Sequence, residues 1–184
     1  MSIVYIIIAV AAIILLWLPA AYNSFVRGRN LVKEAWSGID VQLKRRYDLI
    51  PNLVETVKGY AGHEKEVFEK VAEMRTRSMN AGSVNEKAQA EGELTGALKS
   101  LFAVAEAYPE LKANQNFMEL QNSLQQVEDQ LQLARRYYNG TARDFNNSIE
   151  TFPNVLIAGM FGFTRSEYFE LENEAERANP EVKF

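Results

Sequence analysis

The sequence predicts an all-α protein: a single N-terminal transmembrane helix followed by an antiparallel bundle of three or four long helices. Three observations carry that expectation. The nineteen residues from Ile3 to Ala21 include no charged side chain. Beyond them, apolar residues recur in alternating steps of three and four, the seam of amphipathic helices packed on one another. No stretch sustains the period-two alternation, rich in β-branched residues, that a sheet requires.

The apolar run comes first. At 1.5 Å per residue it is about 28 Å long, enough to cross the hydrocarbon core. Ile3 and Ala21 bound it, and Tyr5, Trp17 and Tyr22 sit near its ends, where aromatic rings favour the interface. A cleaved signal peptide would carry a basic n-region and a shorter apolar core, so an anchor over residues 1–26 is expected. Arg27, Arg29 and Lys33 follow the run closely, and no Lys or Arg precedes it. By the positive-inside rule the N-terminus lies outside and the rest of the chain lies in the cytoplasm. Ala20, Ser24 and Gly28, four residues apart, form a stripe of small side chains that lets a second helix approach, a weak expectation of contact between copies.

Residues 27–152 are expected to form the bundle. Its first stripe runs Val32, Trp36, Ile39, Leu43, Tyr47, Ile50, Val54, Val57 and Ala61. Pro51 interrupts its backbone hydrogen bonding but not its phase, so a kinked helix is expected to continue to about Asn80–Ser83. A second stripe runs Ala88, Leu94, Leu98, Leu101, Ala105 and Tyr108, and stops at Pro109. The third and clearest runs Phe117, Leu120, Leu124, Val127, Leu131, Ala134 and Tyr138, then Phe145, Ile149 and Phe152, and Pro153 ends it. That is a helix of roughly 35 residues, about 50 Å long. The last portion, residues 153–184, opens with an apolar segment (VLIAGMFGF, residues 155–163) too short to span a bilayer. It either folds over the end of the bundle or reaches lipid or a neighbouring subunit through Val155, Leu156, Phe161 and Phe163. An acidic tail containing Glu170, Glu172, Glu174 and Glu176 is expected to be solvated.

Composition narrows the chemistry. The chain of 184 residues has no Cys and one His, so a His/Cys metal site cannot close within it, and disulfides and thiol nucleophiles are excluded. His63 has Val67 where a zinc-protease helix needs a second His, and Tyr60 where a di-iron bundle needs Glu. His63 therefore reads as a surface or core-edge residue. No nucleophile elbow and no phosphate-cradling Gly-rich loop appears. No catalytic residue, cofactor or metal is expected, and the chain reads as something other than an enzyme. The net charge of −4 is uneven: residues 1–60 hold seven Lys/Arg against four Asp/Glu, and the remainder thirteen against twenty. A basic membrane-proximal part and an acidic distal part suit a protein standing on an anionic bilayer and argue against a nucleic-acid partner. The single basic triplet, Lys44-Arg45-Arg46, reads as ion pairing with Asp40, Asp48 or the long helix before it reads as a phosphate patch.

The stretch from Trp36 to Ala61 (WSGIDVQLKRRYDLIPNLVETVKGYA) resembles the signature of the LemA family of bacterial membrane proteins. Tyr108-Pro109-Glu110-Leu111-Lys112-Ala113-Asn114, Ala134-Arg135-Arg136-Tyr137-Tyr138-Asn139, Phe152-Pro153 and Phe161-Gly162-Phe163 fit the same pattern. The resemblance covers nearly the whole chain. It implies a helical bundle on one N-terminal membrane helix in the bacterial inner membrane; it does not imply an enzymatic activity. Through a related magnetosome protein it points to the building of internal membranes. Asp40, Gln42, Arg45, Arg46, Asp48, Asn52, Arg135 and Asn139 are polar positions beside the seams. They are expected to pair between helices, because a buried charge needs a partner.

The function expected from these readings is a membrane-anchored, self-associating structural protein that organises or shapes the bilayer. The alternative is a membrane-tethered adaptor presenting a partner such as a protease or signalling enzyme. The expected partners are the lipid bilayer and further copies of the chain.

Overall fold

A computed structural model describes residues 2–170. The expected tail residues Glu172, Glu174 and Glu176 lie outside the described residues. Among the described residues six helices follow one another: α1 (Ser2–Lys58), α2 (Lys65–Asn80), α3 (Val84–Glu106), the single turn α4 (Pro109–Lys112), α5 (Gln115–Glu150) and α6 (Asn154–Met160). Among the described residues there is no strand. The described residues divide into two compact units, one of residues 2–40 and 133–168, the other of residues 41–132 with 169–170. Both α1 and α5 contribute to each.

In the second unit, residues 41–58 of α1, helices α2 and α3, and residues 115–132 of α5 make a four-helix antiparallel bundle. Short connections force each reversal. The first is the turn at residues 59–64, where the Val57 carbonyl accepts from Tyr60 N–H (3.0 Å) and Ala61 N–H (2.9 Å). The second is closed by a capping box: Ser83 Oγ accepts from Glu86 N–H at 3.2 Å, and the Glu86 carboxylate accepts from the backbone N–H groups of Gly82 and Ser83. Those two backbone donors hold the exposed Glu86 carboxyl below its ordinary pKa. The third is α4 and its flanks. There Asn114 accepts from Phe117 N–H at 3.0 Å, capping α5, while its own amide donates to the Tyr60 hydroxyl at 3.0 Å. Leu43, Ile50, Leu53, Val57, Val71, Leu94, Leu101, Leu111 and Leu131 form the buried centre.

The expected helix through Pro51 to about Asn80 is two helices. Pro51 does not end α1, which runs on to Lys58; the break falls between Gly59 and Glu64. The reason α1 survives Pro51 is visible. Proline has no N–H to offer the carbonyl four residues before it, which is that of Tyr47. Arg75 on α2 fills the vacancy, its Nε donating to the Tyr47 carbonyl at 2.8 Å. Pro51 itself is exposed, so its ring meets water.

In the first unit, residues 2–40 of α1 lie with residues 133–150 of α5, helix α6 and a short extended strap, residues 164–168. Phe25, Val32, Ala35, Ile39, Tyr138, Ala142, Phe145, Ile149, Ile157 and Ala158 are buried there. Trp36 meets the Tyr138 ring edge-on, centroids 5.3 Å apart. The strap is gripped by side chains of α5. Buried Asn146 accepts from Ser166 N–H at 2.8 Å and donates to the Ser166 carbonyl at 3.0 Å, and the Tyr138 hydroxyl donates to the Glu167 carbonyl at 2.8 Å.

If Arg75 replaces the bond that Pro51 cannot make, Arg75→Met should strand a carbonyl and cost about 1–3 kcal/mol. In a Pro51→Ala background, residue 51 can again donate to Tyr47, and the same change should cost less, with a coupling of about 0.5–3 kcal/mol. Denaturant unfolding of the four proteins in detergent measures it; strictly additive losses would sink the account.

Candidate membrane-exit site and a buried ion pair

Two arrangements stand out, one in each unit. In the first unit, α1 carries the apolar run. An 18-residue window of it has a mean hydropathy of 2.8, and none of that window is buried within the chain. Ile3 is exposed, Trp17 is half-buried, and Ala21 is buried. Chain covers α1 from Ala21 onward, at the end of the run. The cover is the segment at residues 155–163. Phe163 lies edge-on to Tyr22 and Phe25, centroids 5.7 and 5.3 Å away, and the Arg29 guanidinium stands 5.1 Å from its ring. Phe161 meets Tyr22 at 5.0 Å.

Of the two destinations foreseen for this segment, its inner face takes the first, the chain's own helices, and its outer face is left exposed. Ile157 and Ala158 are buried and Phe163 is half-buried, so the inner face folds onto the helices. Val155, Leu156, Met160 and Phe161 face outward, and Phe152 just before them is exposed as well.

Of the three small residues expected to form a stripe for a second copy, Ala20 and Ser24 are exposed, but Gly28 serves a contact inside the chain. A Cβ placed on Gly28 would lie 3.0 Å from Cδ2 of Phe145, a side chain that is itself buried. Gly28 thus lets α5 approach α1, and a large residue there would push the two apart.

In the second unit the distinctive chemistry is a charge cluster. Arg46 is 3% exposed and Glu91 is 0% exposed. Arg46 Nη1 reaches Glu91 Oε2 at 2.8 Å, while Nη2 donates to Thr95 Oγ1 at 2.8 Å and stands 3.3 Å from Glu128 Oε2. The other oxygen of Glu91 accepts from the Tyr47 hydroxyl at 2.5 Å. Both Glu91 oxygens are therefore satisfied, as burial demands. Burial first, and the Glu91 charge second, push the Tyr47 phenol well above its ordinary value of 10.0. A cavity of about 340 Å³ opens beside Arg46, lined also by Thr95, Lys99, Phe102, Gln125 and Glu128.

The basic triplet thus resolves into one buried residue and two exposed ones, Lys44 and Arg45. The long helix supplies Glu128, as anticipated, but the closest carboxylate is Glu91 on α3. Asp40, Arg45, Asp48 and Asn52 are exposed rather than buried between helices; Arg45, Asp48 and Asn52 line an open groove that Ser123, Gln126 and Gln130 of α5 also line. Gln42, Arg135 and Asn139 are half-buried. Glu91 went unmarked in the sequence, although a signal was there: the second stripe leaves an empty place between Ala88 and Leu94, and Glu91 stands in it. His63 is exposed in the turn after α1. Among the described residues no three His, Asp or Glu side chains gather as a metal site.

The sequence profile of the LemA family matches residues 35–184. The chain belongs to the LemA family. Magnetosome protein MamQ 2 of Paramagnetospirillum magneticum is 28% identical over 175 residues, covering 81% of this chain and 64% of its own length. Magnetosome protein MamQ of Magnetospirillum gryphiswaldense is 27% identical over 174 residues, covering 80% and 64%. Protein LemA of Metamycoplasma hominis is 28% identical over 162 residues, covering 85% and 72%. The chain spans less than two thirds of the length of the magnetosome relatives it matches. This kinship and the apolar helix describe a membrane-associated LemA-family protein, whose family name denotes no reaction.

Glu91→Ala would leave Arg46 short of its buried counter-charge and should cost about 3–5 kcal/mol. Replacing the whole cluster with apolar side chains (Arg46→Met, Glu91→Leu and Tyr47→Phe together) should recover most of that loss, read as melting temperature in detergent. A triple variant no more stable than Glu91→Ala contradicts it. Tyr47 also predicts an alkaline limit. Its pKa is raised in the folded state, so its contribution is complete below the unfolded value and is lost as pH rises past about 10. Unfolding midpoints from about pH 9 to 11 should fall less steeply in Tyr47→Phe than in the parent.

Proposed function

We propose that this LemA-family chain is a membrane-anchored structural protein that self-associates and organises or shapes the bilayer, with its N-terminus outside and its helical domain in the cytoplasm. The observation that supports it best is the continuity of α1. The apolar run and the stretch packed around Phe25, Val32 and Ile39 are one uninterrupted helix, with no Gly/Pro/Ser-rich linker between them. A stiff joint between anchor and domain transmits force and orientation to the membrane. An adaptor that presents a partner, the second reading, gains reach from a flexible tether instead. The magnetosome relatives are named for a cellular structure rather than for a reaction, which also favours a structural role. Arg27, Arg29 and Lys33 support the orientation.

The full chain purified in mild detergent should behave as a large homomeric species by light scattering and particle imaging. A monomer that carries one other protein in fixed ratio would favour the adaptor. The chain has no cysteine, so Ser100→Cys, on the exposed side of α3, reports the side of the membrane. An impermeant maleimide should label it only after permeabilisation.

A further inference from the structure

We infer that the outward face of α6 is a second membrane contact, lying in the headgroup and acyl boundary of the leaflet where α1 leaves the bilayer; this rests on the reading of α1 as the membrane anchor. The first support is composition. Met160 is 77% exposed, Leu156 62% and Phe152 82%, with Val155 and Phe161 beside them. Leu156 and Met160 are four apart and share one helical face. Five large apolar side chains held open to water are costly and prone to aggregate, so they mark a contact.

The second support is place. α6 is not at an arbitrary point on the surface. Phe161 and Phe163 both rest on Tyr22, the aromatic that immediately follows the apolar run. The same unit that holds the end of the span therefore holds α6 beside it, and the apolar surface of one continues that of the other. The third support is charge. Arg27, two turns from the end of the run at most, and Arg29, stacked on Phe163, stand where anionic headgroups would meet them. An apolar face that continues a membrane span, bordered by Arg29, matches the water–lipid boundary, where short amphipathic segments bury their apolar side about 5–10 Å deep. A second copy of the chain would satisfy the apolar face but has no use for the arginine border.

The absence of cysteine allows a clean test with single spin labels on the full-length protein in phosphatidylethanolamine–phosphatidylglycerol liposomes. Met160→Cys is the reporter, Ile8→Cys marks the span, and Ser100→Cys marks water. Accessibility to oxygen over that to a nickel chelate should be several-fold higher at 160 than at 100 and lower than at 8. Two results overturn the inference. A water-like ratio at 160 with a lipid-like ratio at 8 refutes the α6 contact and leaves the anchor standing. Low accessibility of 160 to both reagents, with spin–spin broadening between labels, assigns the face to another copy. A water-like ratio at 8 instead shows that the anchor reading itself has failed. Leu156→Asp combined with Met160→Asp changes exposed positions only. It should leave the melting temperature in detergent unchanged and shift a label at Phe152→Cys towards the water-like ratio; no shift refutes the contact.

Discussion

A guanidinium shut away from water has to be matched, and in the bundle this requirement fixes how three helices meet. Arg46 reaches out from α1 to Glu91 on α3 and Glu128 on α5, with Thr95 taking a further donor. Apolar seams alone tolerate a slip of one turn, because leucines and valines exchange neighbours at little cost. A carboxylate and a guanidinium do not, since a one-turn slip moves them about 5.4 Å apart. Tyr47 adds to the selectivity by occupying the second oxygen of Glu91. The pair need not add net stability to do this; its value lies in excluding misaligned packings.

The same economy runs through the segments that carry the family resemblance. Their residues answer one another. Trp36 from the first segment packs on Tyr138 from the third. Tyr60, near the end of the first, accepts from Asn114 at the end of the second. Pro51 leaves open a carbonyl that Arg75 closes. These residues therefore have an explanation in folding, and their presence does not by itself mark a site of chemistry. An apolar surface that internal contacts leave unexplained is elsewhere, on α6.

Much of this was legible beforehand. Every member of the first stripe from Val32 to Ala61 is buried except the half-buried Trp36, and α5 begins two residues before Phe117. Periodicity reads such elements well because burial is set by helix geometry. Three features were not legible. The break after Lys58 hides because Ala61 continues the phase into the turn. Glu91 hides because an acidic residue in a core place looks like a gap. The role of Gly28 hides because a glycine at a small-residue spacing serves a neighbour from the same chain as readily as one from another; only Phe145 tells them apart.

The grip on residues 164–168 divides information unevenly along the chain. Asn146 binds both main-chain groups of Ser166, and Tyr138 takes the carbonyl of Glu167. These bonds read no side chain of the strap. The instructions for where residues 166 and 167 lie are thus written in α5, some twenty to thirty residues earlier: a changed side chain at 166 or 167 leaves the three bonds in place, whereas a change at Asn146 or Tyr138 removes them. Of the strap's own side chains, Arg165 adds an exposed pair with Glu150 at 3.0 Å, so its course is written chiefly in α5 and only secondarily in itself.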